Sequence, residues 1–160
     1  MICSLVFVVV LSGHPDAAVA MPNLRSVSVD RAQQMVELRG LRLAAGVYFL
    51  SPNNWRSDIE PETTYLQYPQ PEAATPKGAA AAIWTFRKAV EGQELMETPD
   101  FVGQTWGEVK RELEDSPLEL MNDTAFCEDA AVVTDQYPRA GSKTYAGTSI
   151  FFVAKKEVAP

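Results

Sequence analysis

The sequence predicts an α+β protein of two tandem small units, each one helix packed on a three-stranded sheet. Three observations carry this prediction. Blocks of sequence recur in the same order, each block is opened by a helix-capping residue, and each helix is followed by three runs of strand-forming residues.

The recurrence comes first. Pro22-Asn23-Leu24 returns as Pro99-Asp100-Phe101, 77 positions on, and at the same offset Ser28 matches Thr105, Ala32 matches Val109 and Val36 matches Leu113. Leu41 and Leu43 match Leu118 and Leu120. Gln67-Tyr68-Pro69 then returns as Gln136-Tyr137-Pro138 at an offset of 69. The change of offset gives the first copy eight extra residues, assigned to the polar stretch 51–62. A repeat of this length is one supersecondary unit used twice.

Each element follows from local chemistry. Thr105 caps the second helix, and Glu108 three residues later completes a capping box. Ser28 caps the first helix without the acidic partner, since Arg31 stands in its place. Val29, Ala32 and Val36, and likewise Trp106, Val109 and Leu113, recur at i, i+3 and i+7 and so share one helix face. Gly40 ends the first helix as a residue suited to left-handed backbone, and Pro117 ends the second because it cannot continue one. Strands are predicted over 41–50, 63–68 and 80–87 in the first copy, and at 118–120, 130–137 and 148–155 in the second. Units of this size lie near the lower limit for a self-sufficient core.

Composition narrows function. The 160-residue chain has a net charge of −7, and the acidity is concentrated in residues 98–160, with 6 basic against 11 acidic side chains. Such a balance opposes nucleic-acid binding, which needs clustered cations to replace counterions. One histidine, His14, and two cysteines, Cys3 and Cys127, are too few for most zinc sites or histidine-based triads. Cys127 has no base near it in sequence, and the carboxylate pairs Glu112/Asp115 and Glu128/Asp129 read as solvated. No catalytic residue, metal ligand or cofactor site is predicted, and the chain is not expected to be an enzyme.

Contact residues are the better candidates. Period-2 alternation puts Ile150 and Phe152 on one face of the last strand and Phe151 and Val153 on the other. In the first copy Trp84 and Phe86 share such a second face. One helix covers one face of a sheet, so a second apolar face predicts a linker, a neighbouring unit or a partner. Trp84, Phe86, Phe151 and Trp55, which stands in the 51–62 insertion, are the expected partner contacts. Tyr137, Arg139, Lys143 and Tyr145 around the turn after Pro138 are the expected ligand contacts, with the cations suited to an anionic group.

The second copy resembles a PASTA domain in Pro99-Asp100-Phe101-Val102-Gly103, in Thr105 and Val109, in Gln136-Tyr137-Pro138-Arg139-Ala140-Gly141, and in Gly147 followed by Ile150, Phe152 and Val153. The first copy resembles the family less closely: Ser26 and Glu72 replace glycines, and Ala79–Ala82 weakens the last strand. The reading is therefore a divergent repeat over 21–88, a linker over 89–97 and a second repeat over 98–156. The resemblance implies a non-catalytic, extracytoplasmic, cell-wall-associated module. Such a module binds peptidoglycan fragments or positions a penicillin-binding protein or kinase. The alternative is a structural protein–protein module without a sugar ligand.

Residues 1–20 leave two readings open. Leu5–Leu11 is too short to span a bilayer; with Ala18-Val19-Ala20 as a cleavage pattern it reads as a signal peptide. Leu5–Ser12 followed by Gly13 also reads as the closing strand of a preceding unit.

Overall fold

A computed structural model describes residues 18–121 and 128–155. The apolar run at 5–11 and both cysteines lie outside them. Within each unit the predicted helix and three-stranded sheet are present. In the first unit, α1 (Val29–Glu37) precedes β2 (Arg42–Leu50), β3 (Thr64–Tyr68) and β5 (Ala80–Lys88), which form a sheet in the order β2-β5-β3. In the second, α2 (Trp106–Glu114) precedes β7 (Glu119–Leu120), β8 (Val132–Tyr137) and β10 (Ser149–Lys155), in the order β7-β10-β8. In both sheets the central strand pairs parallel with the first strand and antiparallel with the second.

The caps form as their residues dictate. The Ser28 hydroxyl accepts from the Arg31 N–H, and Thr105 and Glu108 make the full reciprocal box. Gly40 takes φ +69° after α1. The helix faces bury Ala32 and Val36 in one unit and Trp106 and Val109 in the other. Each packs on the inner sheet face, with Ala81 and Ile83 in the first core and Val133, Ile150 and Phe152 in the second, and the connecting segments add Leu24, Leu41 and Phe101.

Sequence periodicity did not reveal two short ribbons. Ala18–Ala20 (β1) pairs antiparallel with Ala74–Pro76 (β4), and Leu95–Glu97 (β6) pairs with Lys143–Tyr145 (β9). They are the same ribbon in the two units, because 18–20 and 95–97 stand 77 positions apart. Ala18-Val19-Ala20, which also reads as a cleavage pattern, is therefore a paired strand here, and the last three residues of the stretch 89–97 belong to a sheet. The extra length of the first unit extends β2 to nine residues, where β7 has two, and the polar stretch that follows joins β2 to β3.

A buried glutamine organises each unit. Gln67 Oε1 accepts from the Leu24 N–H (2.8 Å), while its Nε2 donates to the Pro22 and Pro69 carbonyls (3.0 and 3.1 Å). Gln136 repeats this with the Phe101 N–H (2.7 Å) and the Pro99 and Pro138 carbonyls (2.9 and 3.2 Å). One side chain thus ties the segment before the helix to the turn after the second strand. Both Tyr-Pro bonds at that turn, Tyr68-Pro69 and Tyr137-Pro138, are cis. The matching positions Ser26 and Gly103, and Glu72 and Gly141, all take positive φ. The first unit therefore keeps the backbone path where it has lost the glycine.

Replacing Gln136 by leucine fills the same space but leaves one buried N–H and two carbonyls without their partner. Each unsatisfied group costs about 1–3 kcal/mol. Q136L is expected to lose about 3 kcal/mol in urea denaturation, and a loss below about 0.5 kcal/mol would show that the clip is dispensable.

Candidate functional site

The outer sheet faces of the two units pack against each other. Their shared core is Ala44, Ala82, Trp84, Met121 and Phe151, flanked by Tyr48, Leu66, Tyr68, Tyr137 and Val153. Trp84 is fully buried at the centre: its indole N–H donates to the Ser149 carbonyl (2.7 Å), and its ring lies 4.7 Å from that of Tyr137. A buried indole needs such an acceptor. Tyr68 and Phe151 rings meet at 6.0 Å.

Close approach at the other side of the seam depends on Gly46 in β2. A Cβ there would stand 2.5 Å from Ser149 Cβ and 2.6 Å from Met121 Cε. The Val47 N–H then reaches the Ser149 hydroxyl at 2.9 Å. Ser149 therefore joins the units twice, through its hydroxyl to β2 and its carbonyl to Trp84.

Polar groups line the rim where β3 and β8 face each other. The Tyr68 hydroxyl donates to Asp135 Oδ2 at 2.6 Å. Burial and this hydrogen bond push the Tyr68 pKa up to about 12. Burial also raises Tyr137, while Arg139 and Arg25 act in the opposite sense on it.

The predicted contact residues separate into three places. Tyr137 is half-buried at the seam, and Arg139 is exposed beside it. Lys143 and Tyr145 lie on β9; Lys143 is exposed and pairs with Glu97 at 3.6 Å, and its carbonyl accepts from the Tyr48 hydroxyl at 3.4 Å. Trp84 and Phe151 are enclosed by the sibling unit, so their face offers no open surface. Phe86 is half-buried at the far end of β5, stacked on Tyr65 with ring centroids 4.8 Å apart and 13° between planes. Trp55 is half-buried in the connection between β2 and β3. Arg25, whose Nη2 donates to Gln70 Oε1 at 2.8 Å beside the first Tyr-Pro turn, was not anticipated. The nearest signal in the sequence is its position beside Pro22-Asn23-Leu24.

The family model of the PASTA domain matches residues 96–156. The second unit is thus the part of the chain that is similar to a PASTA domain. The first unit lies outside that match and repeats the second unit's glutamine clip and sheet order. The three-PASTA-domain part of a Ser/Thr kinase from Staphylococcus aureus is similar at 15% identity and TM-score 0.36, over 86% of this chain and 66% of that one. The entire extra-cellular region of the Ser/Thr kinase PrkC from Staphylococcus aureus is similar at 13% identity and TM-score 0.35, over 84% of this chain and 46% of that one. The chain thus spans less than two thirds of either. No curated protein matches it. Among the described residues no helix is long and apolar enough to cross a membrane, and no group of three or more His, Cys, Asp or Glu side chains is placed to hold a metal ion.

Two predictions follow from the seam. Gly46→Val forces a side chain into Ser149 and Met121, so it is expected to cost about 2 kcal/mol and to move tryptophan emission to the red as Trp84 meets water. Unchanged emission and stability would contradict the close approach. Tyr68, with a raised pKa, holds its proton more tightly in the folded chain than in the unfolded one. Its contribution is complete below about pH 10, the ordinary tyrosine value, and is lost as pH rises through about 12. Tyrosinate absorbance should show Tyr68 among the late-titrating phenols, with the step near 12 absent in Tyr68→Phe, and that variant should lose less stability between those pH values. Uniform titration of every tyrosine near pH 10 would count against the Tyr68–Asp135 bond.

Proposed function

We propose that this chain is a non-catalytic, extracytoplasmic, cell-wall-associated module that binds peptidoglycan fragments or positions a penicillin-binding protein or kinase. The match of residues 96–156 to the PASTA domain carries this reading. The rim after Pro138 supports it chemically. Arg139 offers a planar guanidinium beside the half-buried ring of Tyr137, which suits a ligand with carboxylates and apolar sugar faces. Lys143 and Tyr145 extend that surface along β9. Phe86 and Trp55 are the remaining candidates for contact with a protein partner.

A structural module without a sugar ligand is the second reading, and the closed seam favours it. Two units docked face to face through Trp84 make a spacer of fixed geometry rather than a flexible string. Titration of the full chain with purified muropeptides separates the two. Binding is expected to shift backbone amide signals at Tyr137, Arg139, Lys143 and Tyr145. No shift at millimolar ligand, together with co-purification of a protein partner that Phe86→Ala or Trp55→Ala abolishes, would favour the spacer.

A further inference from the structure

The tip of the first unit, where α1 turns into β2, differs in chemistry from the same place in the second. Leu38, Arg39, Arg42 and Lys77 stand there, and the matching positions of the second unit carry Asp115, Ser116, Glu119 and Ala146. Backbone contacts bring the four together. The Gly40 carbonyl accepts from the Gly78 N–H at 2.6 Å, and a Cβ on Gly40 would lie 3.9 Å from the Lys77 stem. Arg42 Nε donates to the Gly78 carbonyl at 3.0 Å, and Arg39 Nη1 to the Ala20 carbonyl at 2.8 Å. Ala20 belongs to β1, whose Ala18 pairs with Pro76, the neighbour of Lys77. Three cations from two stretches of chain thus surround one turn.

Leu38 is the most exposed large apolar side chain among the described residues, at 85%. The exposed Ala18 and Ala20 add apolar surface beside Arg39. Arg39 and Lys77 are exposed, and neither forms an ion pair with a described residue; the pairs there are Arg56–Asp58, Lys110–Asp129 and Lys143–Glu97. Glu37, the carboxylate next to Leu38, accepts from Gln33 Nε2. An isolated exposed leucine is ordinary. A leucine set in solvent beside cations without a carboxylate fits a surface that is anionic outside and apolar beneath.

We infer that this tip docks on an anionic lipid bilayer, with Leu38 at the headgroup boundary and Arg39, Arg42 and Lys77 among the lipid phosphates. Long cationic side chains suit that place, because their stems lie along apolar surface while their charged heads stay with the phosphates. A soluble polyanion would meet the charges but leave Leu38 in water, so the leucine decides for a lipid surface. The net charge of −7 opposes approach at long range, but the acidity is concentrated in residues 98–160 and the tip belongs to the other unit. Binding is therefore oriented, tip first. It is independent of any peptidoglycan ligand.

Co-sedimentation of the full chain with vesicles at low salt tests it. Vesicles of phosphatidylglycerol and phosphatidylcholine in equal parts are expected to bind the chain, and phosphatidylcholine alone to bind it on the order of tenfold more weakly. Arg39→Ala and Lys77→Ala should each weaken binding to the mixed vesicles about fivefold, and Leu38→Ser on the order of tenfold. All three side chains are exposed, and unchanged tryptophan emission in the variants would show the seam intact. Equal binding to both vesicle types, or no binding to the mixed ones, would overturn the inference. So would binding that is indifferent to the variants, since it would lie elsewhere on the chain. Loss with the two cation variants but not with Leu38→Ser, or capture of soluble polyphosphate without capture of vesicles, would show an anion site in place of a lipid surface and overturn it too.

Discussion

A three-stranded sheet with one short helix has a covered face and an open one, and the open face of each unit here is too apolar to leave in water. Trp84, Ala82 and Ala44 on one side and Phe151, Met121 and Val153 on the other are drawn together by that constraint. Small residues let the sheets approach, and Gly46 is the extreme case, since any side chain there would occupy the space of Ser149. The indole of Trp84 then finds an acceptor that belongs to the other unit. Packing without that acceptor would bury an unpaired N–H, so the contact is selective for this alignment.

Local order within each unit comes from a different device. The buried glutamine joins three backbone groups that no strand or helix satisfies, and it does so at two points of the chain far apart in sequence. It fixes the turn on which Tyr68 or Tyr137 sits. The two devices act in series: the clip aims the tyrosine, and the seam packs Tyr68 and Tyr137 against the other unit's Phe151 and Trp84. A unit placed in this way presents a surface that belongs to the pair rather than to one repeat.

Much of this was legible in the sequence. Caps, helix faces and the three main strands of each unit follow from residue chemistry at short range, and Ser28, Thr105 and Glu108 act as read. The β1–β4 and β6–β9 ribbons were not legible, because three residues are too few for alternation to register, and Ala18-Val19-Ala20 also fits a cleavage pattern. The apolar second face could be seen in Trp84 and Phe151, but its occupant could not, since nothing at short range distinguishes a sibling unit from a foreign partner.

The central claim is that the two units form one body through the Trp84 seam. Residual dipolar couplings of backbone amides in the full chain address it directly. The account predicts that couplings from residues 18–88 and from residues 95–155 fit a single alignment tensor with the relative orientation described here. Two distinct tensors, or a single tensor that requires a different orientation of the units, would contradict it.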